Sequence, residues 1–373
     1  MRRIGIEAQR IMRKDKHGMD MVVINQIKQL MAHKPEGFEF FIYINGVRNK
    51  TEWPDVEGFH WRSFEASYPV WEQNWLPKAA SEDNLDLLHC TSNTAPVYGE
   101  TPLAVTVHDI IYYDIYPLFA KGFTPYQRFG NMYRRWNVKR VIKKAKWVAT
   151  VSNFEAKRIA NRFPKVEGKL HTLYNAVSDS FKPAPKEVCD TLRSTNNLLE
   201  PFFLFLGNTD PKKNTAGALK AFALALKDVP DMKMVVADLD EQFIRKVLGS
   251  DADRVMENIK AVGYIPNEEL HVWMTSARFF LYPSLRESFG IPIIEGMASG
   301  TPVITSNTTC MPEVSGGAAP LINPSDPSEI AEVMLNLWSD PEERQKWIAK
   351  GLERAKVFSW QENVKQLLEL YKS

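Results

Sequence analysis

Short apolar runs alternate with longer amphipathic stretches along nearly the whole chain, about eleven times in all. In the run Phe279–Tyr282 every residue is apolar, as in a parallel strand that is buried on both faces. This alternation predicts the α/β class, with parallel sheets covered by helices. A polar stretch with two prolines over residues 183–200 interrupts the alternation and is predicted to be a linker. We therefore expect two doubly wound (Rossmann-like) domains, residues 1–182 and residues 201–357, that face each other across a cleft.

The length and composition describe a globular protein without the charge of a nucleic-acid binder. The chain has 373 residues, which exceeds most single domains and leaves room for two cores. Hydrophobic residues make up 44% of it and charged residues 25%, as is usual for globular proteins. The net charge is only +2 and the pI is near 8.2, whereas nucleic-acid-binding proteins are usually more basic.

Cysteine usage and the absence of long apolar segments predict where the protein works. Cys90, Cys189 and Cys310 are far apart and form no CxxC pair, so neither a disulfide framework nor a zinc site is expected. The N-terminus enters a strand-like run without the apolar core of a signal peptide, and no apolar stretch approaches the ~18 residues of a membrane span. We expect a cytoplasmic protein in a reducing compartment.

Two glutamates follow the strand Phe279–Tyr282. Glu287 falls in the loop after its carboxyl end, where open α/β sheets bind ligands. Pro292 suits the first turn of a helix, which places Glu295 about one turn inside that helix. No Asp-rich or His-rich cluster stands beside them, so hydroxyl groups of a sugar or ribose suit these carboxylates better than a metal ion does. Two solvated acids near a helix start are the alternative.

A second strand, Phe202–Leu206, leads into a loop suited to phosphate. Gly207 ends the strand, and Lys212 and Lys213 precede the next helix. Backbone amides, the helix dipole and an ammonium group would then act on one anion. This pattern predicts a diphosphate site, with an exposed lysine pair as the alternative.

His108 and Asp109 directly follow the strand Leu103–Val107, which is well placed for ligand contact. A core histidine satisfied by the backbone is the other interpretation of His108. The aromatic run between Tyr68 and Pro77 is expected to be a loop that covers its domain rather than a sugar platform.

Residues 134–146 contain seven basic residues and no acid, and four apolar residues mark the opposite side of a helix: Val138, Val141, Ile142 and Ala145. Such a helix suits an anionic membrane surface. It suits a solvated face equally well, and both interpretations stay open.

The segment 284–307, SLRESFGIPIIEGMASGTPVITSN, resembles the signature of the retaining glycosyltransferases of family 4, which have the GT-B fold. The resemblance implies that Glu287 contacts the donor sugar and that Glu295 holds the ribose of the nucleotide. By the same resemblance Lys213 binds the diphosphate, beside Lys212 and Gly207, and His108 reaches the donor sugar from the other domain. The C-terminal helix, residues 358–373, crosses back to the first domain in this fold.

The resemblance also implies weaker site residues. On the donor side these are Gly18, Tyr264, Ile265, Phe289 and Gly290, and on the acceptor side Asp109, Ser152 and Asn175. The chain departs from the family pattern at three positions, with one glycine, Gly18, in place of a pair, Asn208 where some relatives carry Arg, and Ala176 in place of Gly.

The implied reaction moves a sugar, without metal or other cofactor, from a nucleoside-diphosphate sugar to a saccharide or lipid-linked acceptor in the synthesis of a cell-surface polysaccharide such as lipopolysaccharide. Trp71–Gln73, which reads WEQ, resembles a subgroup of the family that contains bacterial polysaccharide mannosyltransferases. With the pair His108–Asp109, this resemblance favours GDP-mannose, while UDP-sugars stay open. The protein would work in the cytoplasm or at the inner face of the cytoplasmic membrane. A catalytically silent binding protein, or another GT-B enzyme such as an epimerase or phosphorylase, is the alternative.

Overall fold

A computed structural model describes residues 1–13, 18–114 and 124–373 of the chain. The chain divides into two compact units. The first comprises Met1–Asn175 together with Trp360–Ser373, and the second comprises Ala176–Ser359. Lys16 and His17, which precede Gly18 in the sequence, lie outside the described residues.

The first unit is built on a seven-stranded sheet in which every described pairing is parallel. The strand order is β3-β2-β1-β4-β5-β6-β7. The strands are β1 (Arg2–Glu7), β2 (Phe38–Ile44), β3 (Phe59–Ser63), β4 (Leu87–Cys90), β5 (Leu103–Thr106), β6 (Trp147–Thr150) and β7 (Leu170–Thr172). The predicted α/β class is confirmed.

Helices follow the strands of the first unit. They are α1 (Gly18–His33), α2 (Tyr68–Val70), α3 (Leu76–Glu82), α4 (Pro125–Lys144) and α5 (Asn153–Arg162). The prediction of a loop between Tyr68 and Pro77 is wrong. A π-helix over Trp71–Trp75 joins α2 to α3 in one continuous helical stretch. Trp71 is fully buried there and covers the sheet.

The second unit carries a six-stranded sheet with only parallel pairings among the described strands, in the order β10-β9-β8-β11-β12-β13. Its strands are β8 (Phe202–Leu206), β9 (Lys233–Ala237), β10 (Ile259–Ala261), β11 (Phe280–Tyr282), β12 (Val303–Ser306) and β13 (Leu321–Ile322). Its helices are α6 (Lys186–Thr195), α7 (Thr215–Ala225), α8 (Glu241–Leu248), α9 (Ala252–Met256), α10 (Asn267–Ser276), α11 (Ile291–Ala298), α12 (Met311–Ser315), α13 (Pro327–Ser339) and α14 (Pro341–Ala355).

The stretch predicted as a linker, residues 183–200, instead belongs to the second unit. Helix α6 occupies its centre and packs against α10. Pro185 stands at the N-cap of that helix, and Cys189 and Leu198 are buried. Pro185 therefore stands at a helix start rather than in a linker, because proline is tolerated at a helix N-terminus.

The last helix, α15 (Trp360–Lys372), returns to the first unit. It buries Val364, Leu367 and Tyr371 in the core that contains β1 and α1. The Tyr371 hydroxyl makes a 2.8 Å hydrogen bond with Nδ1 of His89, a buried residue of β4.

None of the helices that the structure describes combines the length and the apolar character that a bilayer span requires.

Candidate active site

The glycine–lysine loop of the second unit begins where β8 ends. The amide of Gly207 donates a 2.8 Å hydrogen bond to the carbonyl of Ala237, at the end of the neighbouring strand β9. A Cβ at position 207 would lie 2.4 Å from that carbonyl oxygen and 2.6 Å from Cβ of Leu239. Only glycine fits so close to the neighbouring backbone, which is why this residue type ends the strand.

Hydrogen bonds tie this loop to the segment that carries Glu287. Asn214 adopts the left-handed conformation, with φ of 57°, and its side-chain amide donates to the carbonyls of Pro283 (3.1 Å) and Pro324 (2.6 Å). The amide of Leu285 donates to the carbonyl of Lys212 at 2.7 Å. These bonds hold the lysine loop against the residues after β11.

Lys213 and Glu287 meet at the carboxyl end of β11. Lys213 Nζ donates a 2.7 Å hydrogen bond to Glu287 Oε1 and a 3.0 Å hydrogen bond to the Tyr282 hydroxyl. That hydroxyl donates to the same Glu287 oxygen at 2.8 Å. The Lys213 side chain keeps 24% of its surface exposed and that of Glu287 12%. The three residues form one polar cluster that a ligand in solution can still reach.

Tyr282 is a member of the cluster that sequence reasoning missed. Burial, together with the charge of Glu287 beside it, raises the pKa of the Tyr282 hydroxyl well above its usual value. The hydroxyl therefore stays neutral and serves as a donor to the carboxylate. Its position as the last residue of an apolar strand was the only signal available in the sequence.

The loop and helix after Glu287 bring Glu295 toward the same end of the sheet. Gly290 adopts φ of 85° at the N-cap of α11, and Phe289 is buried with its ring centroid 5.6 Å from that of Phe358. The Glu295 carboxylate makes no hydrogen bond with any residue that the structure describes. Burial raises the pKa of Glu295 to about 8. A partly buried carboxyl group without a partner is ready to accept hydrogen bonds from a ligand.

Lys212, Tyr264, Ile265 and Gly18 are the other predicted donor residues. Lys212 pairs with Asp210, Nζ to Oδ2, at 3.5 Å. Tyr264 is 75% exposed and Ile265 is buried, both in the loop after β10. Gly18 is the first residue of α1, where an added Cβ would meet no atom of the described residues within 4 Å.

His108 in the first unit is held by the loop that follows β4. Its backbone amide donates a 2.6 Å hydrogen bond to Asn93 Oδ1, and its Nε2 donates to the Thr91 carbonyl at 2.9 Å. A carbonyl can only accept, so the proton sits on Nε2 and leaves the Nδ1 lone pair to accept. The side chain is 4% exposed, and burial lowers the pKa of His108. The ring is neutral and fixed in one tautomer.

Glu7, which sequence reasoning did not select, supports this arrangement from the end of β1. Its backbone carbonyl accepts a 2.7 Å hydrogen bond from the Thr91 hydroxyl, and its Oε2 accepts from the Thr91 amide at 3.1 Å. Glu7 is 2% exposed. Because Thr91 is the acceptor for His108, Glu7 positions His108 indirectly.

The remaining acceptor-side residues occupy separate strand ends. Asp109 Oδ1 accepts from the Ile111 amide at 3.1 Å, and Ser152 caps α5 by accepting from the Glu155 amide at 3.2 Å. Asn175 is buried after β7, and Ala176 is not among the described residues with positive φ. Ser152 thus has a structural role in the helix cap.

A second buried carboxylate, Glu72, was also missed. It is 1% exposed and accepts hydrogen bonds from Tyr68 (2.8 Å), Gln73 (2.7 Å), Thr94 and Tyr133. An acid inside an aromatic run was the signal for it in the sequence.

Within residues 1–13, 18–114 and 124–373, no group of three or more His, Cys, Asp or Glu side chains is placed to hold a metal ion.

Two family models match the chain. The model described as Glycosyltransferase Family 4 matches residues 17–181, and the model described as Glycosyl transferases group 1 matches residues 192–354. The second match contains Lys213, Glu287 and Glu295, and the first contains His108.

Relatives and a solved structure agree with these matches. The chain is 32% identical to O-antigen chain mannosyltransferase B of Escherichia coli over 61% of each chain, and thus spans about three fifths of that relative. It is 28% identical to O-antigen chain mannosyltransferase RfbU of Salmonella typhimurium, over 69% of this chain and 67% of the relative. The structure of Anabaena HepE in complex with UDP-glucose superposes with a TM-score of 0.76 at 15% identity, covering 99% of both chains, and shows the predicted GT-B fold. With one family model on most of the first unit and another on most of the second, the chain belongs to the glycosyltransferases of family 4 and group 1.

Proposed function

We propose that the protein is a retaining, metal-independent glycosyltransferase that moves mannose from GDP-mannose to a saccharide or lipid-linked acceptor during synthesis of a cell-surface polysaccharide. The observation that carries this proposal is the reachable cluster of Lys213, Tyr282 and Glu287 at a strand end, in the same unit as the unpartnered carboxyl group of Glu295. The set provides a cation for a diphosphate and two carboxyl groups for hydroxyls.

Lys213 would bind the diphosphate by exchanging partners. In the ligand-free protein its ammonium group is neutralised by Glu287 at 2.7 Å. A diphosphate carries more negative charge than one carboxylate, so it would draw the ammonium away from Glu287. The same exchange frees the Glu287 carboxylate to accept hydrogen bonds from the donor sugar.

Glu295 would hold the ribose. Two adjacent ribose hydroxyls can donate to the two oxygens of one carboxylate, and Glu295 makes no such bond within the described residues. Its place in α11, close to Glu287 along the chain, suits a nucleotide whose ribose and sugar lie on either side of the diphosphate.

In the proposed step, the bond between the anomeric carbon and the oxygen of the distal phosphate breaks, and the electron pair leaves with GDP. The acceptor oxygen bonds to the anomeric carbon on the same face, and its proton passes to the departing phosphate oxygen. Lys213 stabilises the negative charge that develops on the diphosphate. The role of His108 in orienting the sugar stays a prediction from the family resemblance.

Mannose is favoured by the WEQ segment and the His108–Asp109 pair, and the two relatives are mannosyltransferases by their names. The HepE complex contains UDP-glucose, so UDP-sugars belong in the test. The acceptor is defined only by class.

The deciding experiment is release of nucleoside diphosphate from GDP-mannose, UDP-glucose and UDP-N-acetylglucosamine, with crude lipid-linked or oligosaccharide acceptors, with and without EDTA. We expect GDP release from GDP-mannose that depends on the acceptor and is unaffected by EDTA. Release from a UDP-sugar alone would change the donor, and loss of release in EDTA would contradict metal independence. Nuclear magnetic resonance of the product separates retention from inversion.

Binding of a donor without turnover with any acceptor would favour a catalytically silent protein. Cytoplasmic location and contact of residues 134–146 with the inner face of the membrane complete the proposal. Both are supported by the run of seven basic residues without an acid.

A further inference from the structure

The outer face of α4 exposes large apolar side chains in its first half. Tyr126 is 82% exposed, Phe129 60%, Met132 47% and Trp136 38%. Residues three or four positions apart lie on one side of a helix, so these four form a single stripe. We call this stripe, together with the basic residues that continue it, the α4 outer face.

The helix that carries the stripe has a capped N-terminus and a buried inner side. A capping box starts it, in which the Thr124 hydroxyl accepts from the Gln127 amide and the Gln127 side chain accepts from the Thr124 amide. Val138, Val141 and Ile142 on the inner side are buried in the core. The exposed aromatic residues are therefore not the result of a frayed helix.

Basic residues occupy the same side of the helix toward its C-terminus. Lys139, Arg140 and Lys143 are exposed, and none forms an ion pair with a residue that the structure describes. The segment 124–146 contains no acidic residue. An apolar stripe with an adjoining set of unpaired cations is the pattern of a helix that lies in the interface of an anionic membrane.

The structure changes which residues can make membrane contact. The apolar residues that the sequence indicates within 134–146, including Val138 and Val141, lie in the core and cannot touch lipid. We propose that the α4 outer face (Tyr126, Phe129, Met132, Trp136, Lys139, Arg140 and Lys143) docks on an anionic lipid bilayer. The aromatic residues enter the acyl boundary and the cations meet lipid phosphates. This deepens the proposed function, because a lipid-linked acceptor would be presented at that surface.

Charge argues for lipid rather than for a second copy of the chain. Two copies joined through this face would bring two sets of unpaired cations together, which is repulsive. Anionic headgroups neutralise the same cations and so favour the bound state.

The test is cosedimentation of the full chain with vesicles of phosphatidylcholine, with or without phosphatidylglycerol. We expect binding to the anionic vesicles, weak binding to the neutral ones, and loss of binding at high salt. Phe129→Ser with Trp136→Ser should weaken binding about tenfold or more. Lys139→Gln with Lys143→Gln should do the same.

Matched control variants carry equivalent substitutions at exposed positions outside α4. Val47→Ser with Leu199→Ser removes two apolar side chains that are 81% and 85% exposed, and Lys227→Gln with Lys246→Gln removes two exposed cations. Neither control should reduce binding. Circular dichroism and thermal unfolding confirm that each variant is folded.

Equal binding to neutral and anionic vesicles, or unchanged binding of either α4 variant, would overturn the proposal. A dimer in light scattering that the Phe129/Trp136 variant abolishes, without vesicle binding, would assign the face to a second copy and refute the lipid surface. Vesicle binding requires no sugar donor, so its failure is distinguishable from failure of the transferase reaction. Transfer to a water-soluble acceptor should persist in the α4 variants.

Discussion

Lys213 and Glu287 neutralise each other at 2.7 Å, yet both side chains remain partly exposed. Because a ligand can reach the pair, a group of greater negative charge can compete with Glu287 for the ammonium group. Tyr282 keeps both groups in place by bonding to each of them. The cluster therefore holds the Lys213 ammonium group in position and still lets it exchange Glu287 for a ligand.

Replacing Lys213 with Met should lower kcat/KM by about 10²–10³-fold, because the charge that develops on the leaving diphosphate loses its cation. Lys213→Arg should retain more activity, since it preserves the charge. Steady-state kinetics of nucleoside diphosphate release measures both variants. Lys220→Met removes an exposed lysine of α7 as the matched control. Full activity of Lys213→Met would contradict the diphosphate assignment.

If Glu295 holds the ribose as proposed, we expect donor affinity to depend on pH. Burial raises the pKa of Glu295 to about 8, so the free protein holds it protonated at pH 7. Ribose hydroxyls that donate to the carboxylate favour its charged form and lower this pKa on binding. Donor binding should therefore release a proton near pH 7 and tighten as the pH rises through about 8. Calorimetry in buffers of different ionisation enthalpy measures the release.

Glu295→Gln should remove both the proton release and the pH dependence while the protein stays folded. Because the pKa in the folded protein is raised, the protonated form also favours folding. That contribution is complete below the pKa of an unfolded glutamate and is lost as the pH rises through about 8. Identical pH profiles for the two proteins would show that another group titrates.

At the scale of elements, the glycine–lysine loop depends on the contact between the ends of β8 and β9. The loop leaves β8 at Gly207, against the carbonyl of Ala237, and returns through Asn214, which bonds two further carbonyls. Backbone packing at Gly207 and the side-chain bonds of Asn214 together fix the position of the Lys213 backbone. The loop has little freedom to adjust.

Gly207→Ala should destabilise the second unit by about 1–3 kcal/mol, because the added methyl overlaps the Ala237 carbonyl and the backbone must shift. Donor affinity should fall with it. Gly168→Ala, in the first unit, adds a methyl that meets no atom of the described residues within 4 Å and should be nearly neutral. Urea unfolding and donor titration compare the two. Equal stability of the variants would refute the packing argument.

At the scale of the whole molecule, the chain closes the first unit with its last helix. His89 in β4 bonds the Tyr371 hydroxyl through Nδ1 and the Thr106 hydroxyl through Nε2, both at 2.8 Å. Burial lowers the pKa of His89 to about 3. A neutral histidine with both nitrogens satisfied links the sheet to a helix that is 282 positions away in sequence.

Tyr371→Phe should lower the free energy of unfolding of the first unit by about 1–3 kcal/mol, because it leaves a buried His89 nitrogen without a partner. Hydrogen exchange of the β4 and β5 amides reports the loss. Since the pKa of folded His89 is depressed, its contribution is present above the pKa of unfolded histidine, near 6.5. It is lost as the pH falls toward 3. Tyr98→Phe, at an exposed tyrosine, is the control and should change nothing.

Local patterns account for most of the strands and for the main site residues. An apolar run predicted β8 with its exact bounds, and the positions of Lys213 after β8 and of Glu287 after β11 pointed to a ligand site. The edge strand β3 was missed, because only one of its five residues is buried and the segment is not a continuous apolar run. The sequence predicts a loop for the aromatic run after Tyr68, but the run is helical. The packing of its tryptophans depends on contacts with residues distant in sequence.

The sequence by itself determined the parallel α/β class, the positions of the two glutamates and two lysines, and the family, because these depend on residue type and short spacing. Tertiary structure alone decided that Lys213 pairs with Glu287, that Glu7 supports His108 through Thr91, and that residues 183–200 form part of the second unit. It also decided which side of α4 faces solvent. Such contacts join residues far apart in the chain, and their partners are chosen by the packing of whole elements.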